Sequence, residues 1–499
     1  LNKEVIMENI AFIELTERKL ELKIVQSRQG RYRVLEDVIN QYDLTNDITK
    51  DCLFSPKSRT DILKILNIYR YTIETYNVSK MIAFASNIIV KARNYRGLLD
   101  EIYTHTGMNF TLTNNDEVIR DIYQAINSKI DLSKGTCVYI AGYTTFILKY
   151  NRRNVTDSFV VPYGYINLSE KYSKLDDMVN FFKKEIKNCP FVVNFEEEGI
   201  VGAGVPFIDI SKISKKLLRY PIDIDNNYIL TRDGVDKVIN FAKELDVEKV
   251  KKIKGLSFEG SDSLQGGLAI ISTIFDFFGA EELAVTDADK MEGKVLENLV
   301  GSPTEKYSDL VLNSLDNYYE FKKEGLAINY NVYNMAILLF KQLKVVHKLP
   351  RNYVKPLKIA SYMFDAGKFI DYKNYEKHGF YAILNSGIVG ASQKDILIAS
   401  FACQSQNLDN FNLPELIKYK EVLTDEDVDA IRKLGVLVKL AVNLNASRKG
   451  VIQDIICDIL GDSIIMKTVV KSDPAFEIMQ SMKLADDFKK TFKKSLQII

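Results

Sequence analysis

The first stretch of the chain alternates. Ile10, Phe12, Ile13 and Leu15 precede a polar turn at Thr16–Lys19, and Leu20, Leu22 and Ile24 follow it. Near-alternate apolar positions on both sides of a short polar turn predict a β-hairpin with at least one buried face. Asp61–Tyr76 (DILKILNIYRYTIETY) switches to helical spacing, and a short strand follows at Lys80–Ala85. Gly135–Lys149 (GTCVYIAGYTTFILK) is again strand, turn and strand, and Ser158–Ile166 reads as a further strand. Between Ile166 and Ser302 helical and strand spacing alternate, so residues up to about 300 read as an α/β region with a break near residue 127.

The pattern changes after Ser308. Asn329–Lys344, Leu357–Phe369, Asp395–Gln404 and Asp425–Leu444 carry helical periodicity and strand signals fade. These changes predict three domains: α/β over residues 1–127, α/β over 128–305, and an all-α domain over 306–499. Two halves that each open on strand, turn and strand suggest a duplicated fold that handles a nucleotide or phosphate, with the ligand in the cleft between the halves.

Composition narrows the partners. Lys and Arg number 67 and Asp and Glu 66, so the net charge of +1 offers no general attraction to nucleic acid or an anionic membrane. Any polyanion must be held by a local basic patch or by converging backbone N–H groups. Five scattered cysteines without a CxxC pair read as reduced thiols. The charged start LNKEVIMENIAF lacks a signal-peptide run, and the apolar stretch near Gly266–Gly279 is interrupted by Asp276. The expectation is a cytoplasmic protein with no membrane partner and no specific nucleic-acid partner.

Several runs carry a resemblance. GLSFEGSDSLQGGLAII at Gly255–Ile271 fits G-L-P-x-x-R-A-D-x-x-x-G-G-x-x-I-L, and AVTDADKMEGKVL at Ala284–Leu296 fits V-S-D-x-G-L-R-E-G-x-L, each without a gap. ASNIIVKARN lies over A-T-x-A-x-R-x-A-x-N, Val138–Phe146 over V-D-I-G-G-G-S-T-E, and Val201–Val205 over a later glycine loop. Further on, MFDAGK lies over L-H-D-I-G-K and KHGFYAILNSGIVG over K-H-S-x-Y-L-I-x-N-S. In this order the runs resemble the exopolyphosphatase and guanosine-pentaphosphate phosphatase family. The resemblance implies two actin- and acetate-kinase-like (ribonuclease H-like) α/β domains with a C-terminal helical HD-like domain. It also implies a homodimer, polyphosphate or guanosine pentaphosphate between the α/β domains, and hydrolysis of a terminal phosphoanhydride. That chemistry needs backbone N–H groups around the phosphates, a Mg²⁺ held by a carboxylate, and a carboxylate base.

Position by position, many family residues are replaced. The first phosphate loop, D-x-G-S-N, reads Glu14-Leu15-Thr16-Glu17-Arg18; Glu14 is the candidate metal ligand, while Thr16 removes a glycine and Glu17 points negative charge at a polyanion. The second loop keeps Gly142, Thr144 and Thr145 as candidate phosphate contacts, but its metal-binding acid becomes Tyr139 and its terminal acid Phe146. Gly202 and Gly204 of the third loop are the remaining phosphate candidates. Val118 falls on the catalytic glutamate, and only a one-residue slip brings Glu117 there as the base. Family arginines fall on Val90, Gly260 and Met291, while Asp262, Asp287 and Glu292 stay in register. In the HD-like module Phe364 replaces a histidine beside Asp365, Ser405 and Asn445 replace two further ligands, and His378 remains.

The resulting expectation is a catalytically impaired family member that acts by binding a ligand or a protein. The alternative is an active phosphohydrolase with Mg²⁺ and displaced carboxylates at Glu14 and Glu117. A third reading is a regulatory scaffold whose cleft is filled by Tyr139, Tyr143 and Phe146.

Overall fold

A computed structural model describes residues 7–151, 154–243, 256, 258–300, 309–321, 326–407 and 413–499. The chain divides into two compact units, Leu1–Arg219 with Asp225–Ser308, and Tyr220–Ile224 with Asp309–Ile499.

The first unit holds two sheets. β1 (Glu8–Leu15), β2 (Lys19–Arg28), β3 (Arg31–Gln41), β4 (Lys80–Ser86) and β5 (Phe110–Thr113) lie in the order β3-β2-β1-β4-β5. The first three are antiparallel, and β4 and β5 run parallel to β1. The second sheet comprises β6 (Lys134–Ile140), β7 (Thr145–Asn151), β8 (Asn154–Val161), β9 (Gly199–Ala203), β10 (Tyr228–Thr231) and β11 (Glu282–Thr286). Its order, β10-β11-β9-β6-β7-β8, repeats the first sheet with β9 and β11 in the places of β4 and β5 and with β10 added antiparallel at the edge. A hairpin meander followed by parallel strands, made twice, is the ribonuclease H-like topology expected from the resemblance.

β1 is buried on both faces, which explains why its apolar run is nearly continuous. Ala11, Ile13 and Leu15 pack with Leu66 and Tyr69 of the Pro56–Thr75 helix. Ile10 and Phe12, on the other face, meet Met291 and Val295 of the Lys290–Val300 helix. Burying a side chain such as Phe12 contributes about 1.5–3 kcal/mol. The same packing brings the first residue of that helix, Lys290, to the end of β1. Met291, which stands where the family has an arginine, is a core residue here.

Two local expectations change. The strand read at Ser158–Ile166 is β8, Asn154–Val161, and Ile166 lies in the Tyr165–Lys171 helix. Pro162 cannot donate to a ladder and Gly164 starts the helix, so the strand ends before them. β3 extends the first hairpin by a strand that the sequence reading did not identify.

The second unit is helical over most of its length. Helices Leu310–Glu320, Leu326–Gln342, Val354–Tyr362, Tyr375–Leu384, Gln393–Gln404 and Asp425–Asn443 contribute to one core. The last starts on a capping box between Thr424 and Asp427. A small sheet of β12 (Ile452–Ile459), β13 (Ser463–Val470) and β14 (Ser495–Ile498) adds Ile455, Ile464, Met466 and Leu496 to this core. The Gly461-Asp462 pair between two β-branched runs was its signal in the sequence. Among the described residues, no helix is long and apolar enough to cross a membrane.

Candidate functional site

The two hairpin turns and the loop after β9 line one pocket of about 400 Å³ in the first unit. Glu14, Thr16, Glu17 and Lys19 come from the first turn, Tyr139 to Gly142 from the second, Gly204 from the N-cap of the Val205–Leu217 helix, and Asp209 and Lys212 from its second and third turns. Asp287, Asp289 and Lys290 complete the wall. Five carboxylates and three ammonium groups therefore line it.

The first turn is closed by its own side chains. The Thr16 hydroxyl oxygen accepts from the backbone N–H of Arg18 at 3.2 Å and of Lys19 at 3.0 Å. Tyr42 Oη lies 3.0 Å from Thr16 O and 2.9 Å from Lys19 O. These two N–H groups are satisfied inside the turn, so they are not presented to a phosphate.

Glu14 is 3% exposed. Lys290 Nζ lies 2.6 Å from one carboxylate oxygen and Lys19 Nζ 3.6 Å from the other. Burial pushes the Glu14 pKa up, but Lys290 and then Lys19 outweigh it and hold the carboxyl below its ordinary value. Lys19 also pairs with Glu21, and Lys23 bridges Glu21 and Asp37. Burial raises the Glu21 carboxyl against the pull of Lys19. Asp289 is lowered, because Lys23 and Lys19 overcome its burial, and its carboxylate accepts from Glu292 N at 2.7 Å.

The second turn is uncharged. Ala141 N–H donates to Thr144 O at 2.9 Å, and Ile166 N–H to Gly142 O at 2.8 Å. Gly164 sits against this turn so closely that a Cβ would come 2.0 Å from Ala141 O. The Glu17 carboxylate crosses from the first turn and packs on Gly142, where a Cβ would come 2.3 Å from Glu17 Oε1. The Tyr139 ring stands in the pocket wall, 6.2 Å from the Phe146 ring. Phe146 and Tyr143 are buried.

Of the candidate residues, Glu14, Gly142 and Gly204 meet in this pocket. Gly204 has φ +103°, and a Cβ would come 2.4 Å from Ile140 O, so glycine is required there for both conformation and space. Gly202 faces the Phe207 ring and does not line the pocket. Thr145 is fully buried and its hydroxyl donates to Tyr163 O at 2.8 Å; Thr144 supplies the carbonyl that closes the turn. Glu117 forms a capping box with Asn114 at the start of the Asn115–Lys129 helix and is not among the pocket residues. Val118 packs on the core of the second sheet. Val90 is exposed. The Asp262 side chain lies outside the described residues, and so does that of Gly260's immediate surroundings in the helix.

Lys290 and Asp289 were not singled out in the sequence. Both depart from the family pattern V-S-D-x-G-L-R-E-G, in which a glycine and a leucine hold their places, and a lysine at an apolar position was the available signal. Asp287 and Glu292 both pair with Lys129, at 3.0 and 2.7 Å.

In the second unit Phe364 is buried, and the Asp365 carboxylate accepts from Asn329 Nδ2 at 3.3 Å. Ser405 and Asn445 are buried, and His378 is half-buried. Among the described residues, no cluster of three or more His, Cys, Asp or Glu side chains is arranged to hold a metal ion.

Comparison with known proteins finds relatives in sequence and in fold. The chain is 22% identical over 276 residues to the bifunctional 3-dehydroquinate synthase/phosphatase of Fusobacterium nucleatum, covering 51% of this chain and 40% of that protein. It is 28% identical over 194 residues to the guanosine-5'-triphosphate,3'-diphosphate pyrophosphatase of Aeromonas hydrophila, covering 38% of each. The matches thus span about two fifths of the length of these curated relatives. Among solved structures, the PPX-GPPA enzyme of Aquifex aeolicus superposes with a TM-score of 0.52 at 18% identity, over 58% of this chain and 100% of that one. An exopolyphosphatase from Cytophaga hutchinsonii gives 0.53 at 14% identity, over 60% and 99%. These two establish likeness of fold. The sequence model of the Ppx/GppA phosphatase family matches residues 23–300, and that of its domain III matches residues 324–476. The chain belongs to the Ppx/GppA phosphatase family.

Proposed function

We propose that this family member is catalytically impaired and works by binding, with the pocket between its two hairpin turns as the ligand site. The reading rests on Glu14. Its carboxylate is clasped by Lys290 at 2.6 Å and Lys19 at 3.6 Å, so its charge is already neutralised by two ammonium groups. A Mg²⁺ needs near-octahedral oxygen ligands, and to reach Glu14 it has to displace a lysine. The residues around Glu14 suit an ion pair and do not suit that cation. Tyr139 supplies no second carboxylate, since a phenol stays protonated at neutral pH. Glu117 serves a helix cap.

The same residues argue against a polyphosphate or guanosine pentaphosphate chain as the ligand. Two N–H groups of the first turn are used by Thr16, Glu17 covers Gly142, and five carboxylates face the pocket. A polyanion loses its water there and meets like charge. A small polar ligand that carries cationic groups is favoured instead.

The test is phosphate release from polyphosphate and from guanosine pentaphosphate, each with Mg²⁺ or Mn²⁺. The expected rate is that of the buffer. Turnover at ordinary enzymatic rates that is lost in Glu14→Gln or Glu117→Gln overturns the proposal and restores the active phosphohydrolase.

A further inference from the structure

The lysine of the MFDAGK run takes no part in the pocket above. It lies in the second unit, on the short 3₁₀ turn Ala366–Phe369, and its backbone N–H donates to Asp365 O at 2.9 Å. Gly367 sets this turn hard against the next helix: a Cβ there would come 1.9 Å from Tyr375 O. That approach holds the Lys368 ammonium 4.6 Å from the Tyr375 ring centroid, 5.6 Å from Tyr372 and 5.7 Å from Phe364.

Three rings surround the amine, yet among the described residues no carboxylate lies within ion-pair distance of it. Most half-buried lysines of this chain differ. Lys129 and Lys294, for example, each touch two carboxylates. Rings favour a cation only modestly and cannot accept its three N–H donors as a carboxylate does. The amine therefore loses water without gaining an anion. Burial lowers its pKa below the ordinary lysine value, Asp365 and Glu376 pull it back up, and Arg448 and Lys439 press it down, with a net lowering. The turn then runs into an exposed apolar edge: Phe369 and Ile370 are each 57% exposed and Tyr372 is 73% exposed.

We propose that Lys368 is a nucleophilic amine that captures aldehydes by imine formation, with Phe369, Ile370 and Tyr372 as the apolar face that receives the aldehyde's hydrocarbon part. The neutral amine attacks the carbonyl carbon and a C–N bond forms. The nitrogen gives up both of its protons, the carbonyl oxygen takes up two and leaves as water when the C–O bond breaks and the C=N bond forms, and no electron is exchanged with another reactant. The rings can then stack on the planar product. The inference is independent of the pocket reading, because it uses neither its residues nor its ligand.

The experiment treats the full chain with benzaldehyde and sodium cyanoborohydride, which reduces the imine to a stable benzylamine, and maps modified lysines by peptide mass spectrometry. Lys64 and Lys490, with side chains 70% and 75% exposed, serve as internal references. Lys368 is expected to react at least fivefold faster than either at pH 7.5, with a pH midpoint below 10.5, the ordinary lysine value. Lys368→Arg should remove the fast site, and Tyr372→Ala, an exposed change that spares the core, should slow it at least threefold. Labelling no faster than the references, a midpoint at or above 10.5, or an unchanged rate in Tyr372→Ala overturns the proposal.

Discussion

The two hairpin turns of the first unit have the same topology and opposite chemistry. The β1–β2 turn is built from charge: Glu14, Glu17, Arg18 and Lys19 are all buried or half-buried, and ion pairs to Lys290 and Glu21 hold the end of the hairpin. The β6–β7 turn carries no charge: the same 2.9 Å backbone hydrogen bond closes both turns, Thr16 N–H to Lys19 O and Ala141 N–H to Thr144 O, and here the close approach of Gly164 does the locking. One backbone path thus tolerates two unrelated solutions. The difference decides what the pocket can accept, since a turn whose N–H groups and charges are already satisfied has little to offer an anion.

The largest effect should come from breaking the charged solution. Lys290→Ala leaves the buried Glu14 with Lys19 alone, 3.6 Å away, and a cost of about 3 kcal/mol, the low end for breaking a buried pair, is expected in urea unfolding. The pair Glu14→Gln with Lys290→Met should recover most of that loss. A double variant as unstable as Lys290→Ala would mean that packing of the lysine stem, and not its charge, holds the turn.

Breaking the uncharged solution comes next. Gly164→Ala places a methyl group 2.0 Å from Ala141 O, so the second turn must shift. A loss of about 2–3 kcal/mol is expected, read as a lower Tm. An unchanged Tm would show that this turn is soft.

Asp121 sharpens the contrast, because it is a buried acid with a single lysine. It is fully buried, and Lys294 Nζ lies 3.2 Å away. Burial outweighs that one lysine, and the carboxyl is pushed up to about 6 from 3.8. Glu14, with two lysines, goes the other way. A raised carboxyl stabilises the fold at low pH: its contribution is full below about 3.8 and is lost as pH rises through about 6. Glu14 has the opposite sign, present above its ordinary value of 4.5 and lost as pH falls through its lower folded value. Asp121→Asn should therefore remove a stability change on the order of 2 kcal/mol between pH 4 and pH 7. Urea midpoints across that range that keep the same slope in the variant would reassign the effect.

The smallest expected effect is Thr16→Ala. It deletes an acceptor of two partly buried N–H groups, and about 1 kcal/mol should be lost. If the variant also gains measurable affinity for inorganic phosphate, the freed N–H groups are what the wild-type turn withholds.

The sequence alone carried the fold a long way. Near-alternate apolar positions around Thr16–Lys19, and the strand, turn and strand pattern within Gly135–Lys149, marked both hairpins, because short apolar runs on either side of a polar or glycine-containing turn are what a hairpin leaves in a sequence. The ungapped runs at Ala284–Leu296 and MFDAGK placed the chain in its family, since they combine residue identity with spacing. β3 and the C-terminal sheet were not legible: β3 is an edge strand with no fully buried position to give it a clear alternation, and the β12–β13 hairpin, marked only by Gly461-Asp462, follows a long stretch of helical spacing.

Tertiary structure decided what the sequence could not. Glu14 reads as a free carboxylate until the Lys290–Val300 helix packs on Phe12 and Ile10 and delivers an ammonium from 276 positions further along the chain. Gly202 and Gly204 are two residues apart, yet one makes room for a ring and the other shapes the pocket wall. Charge, burial and free space are properties of neighbours in space. Periodicity reports which face of an element is buried, but only packing of one element on another fixes which charges meet there.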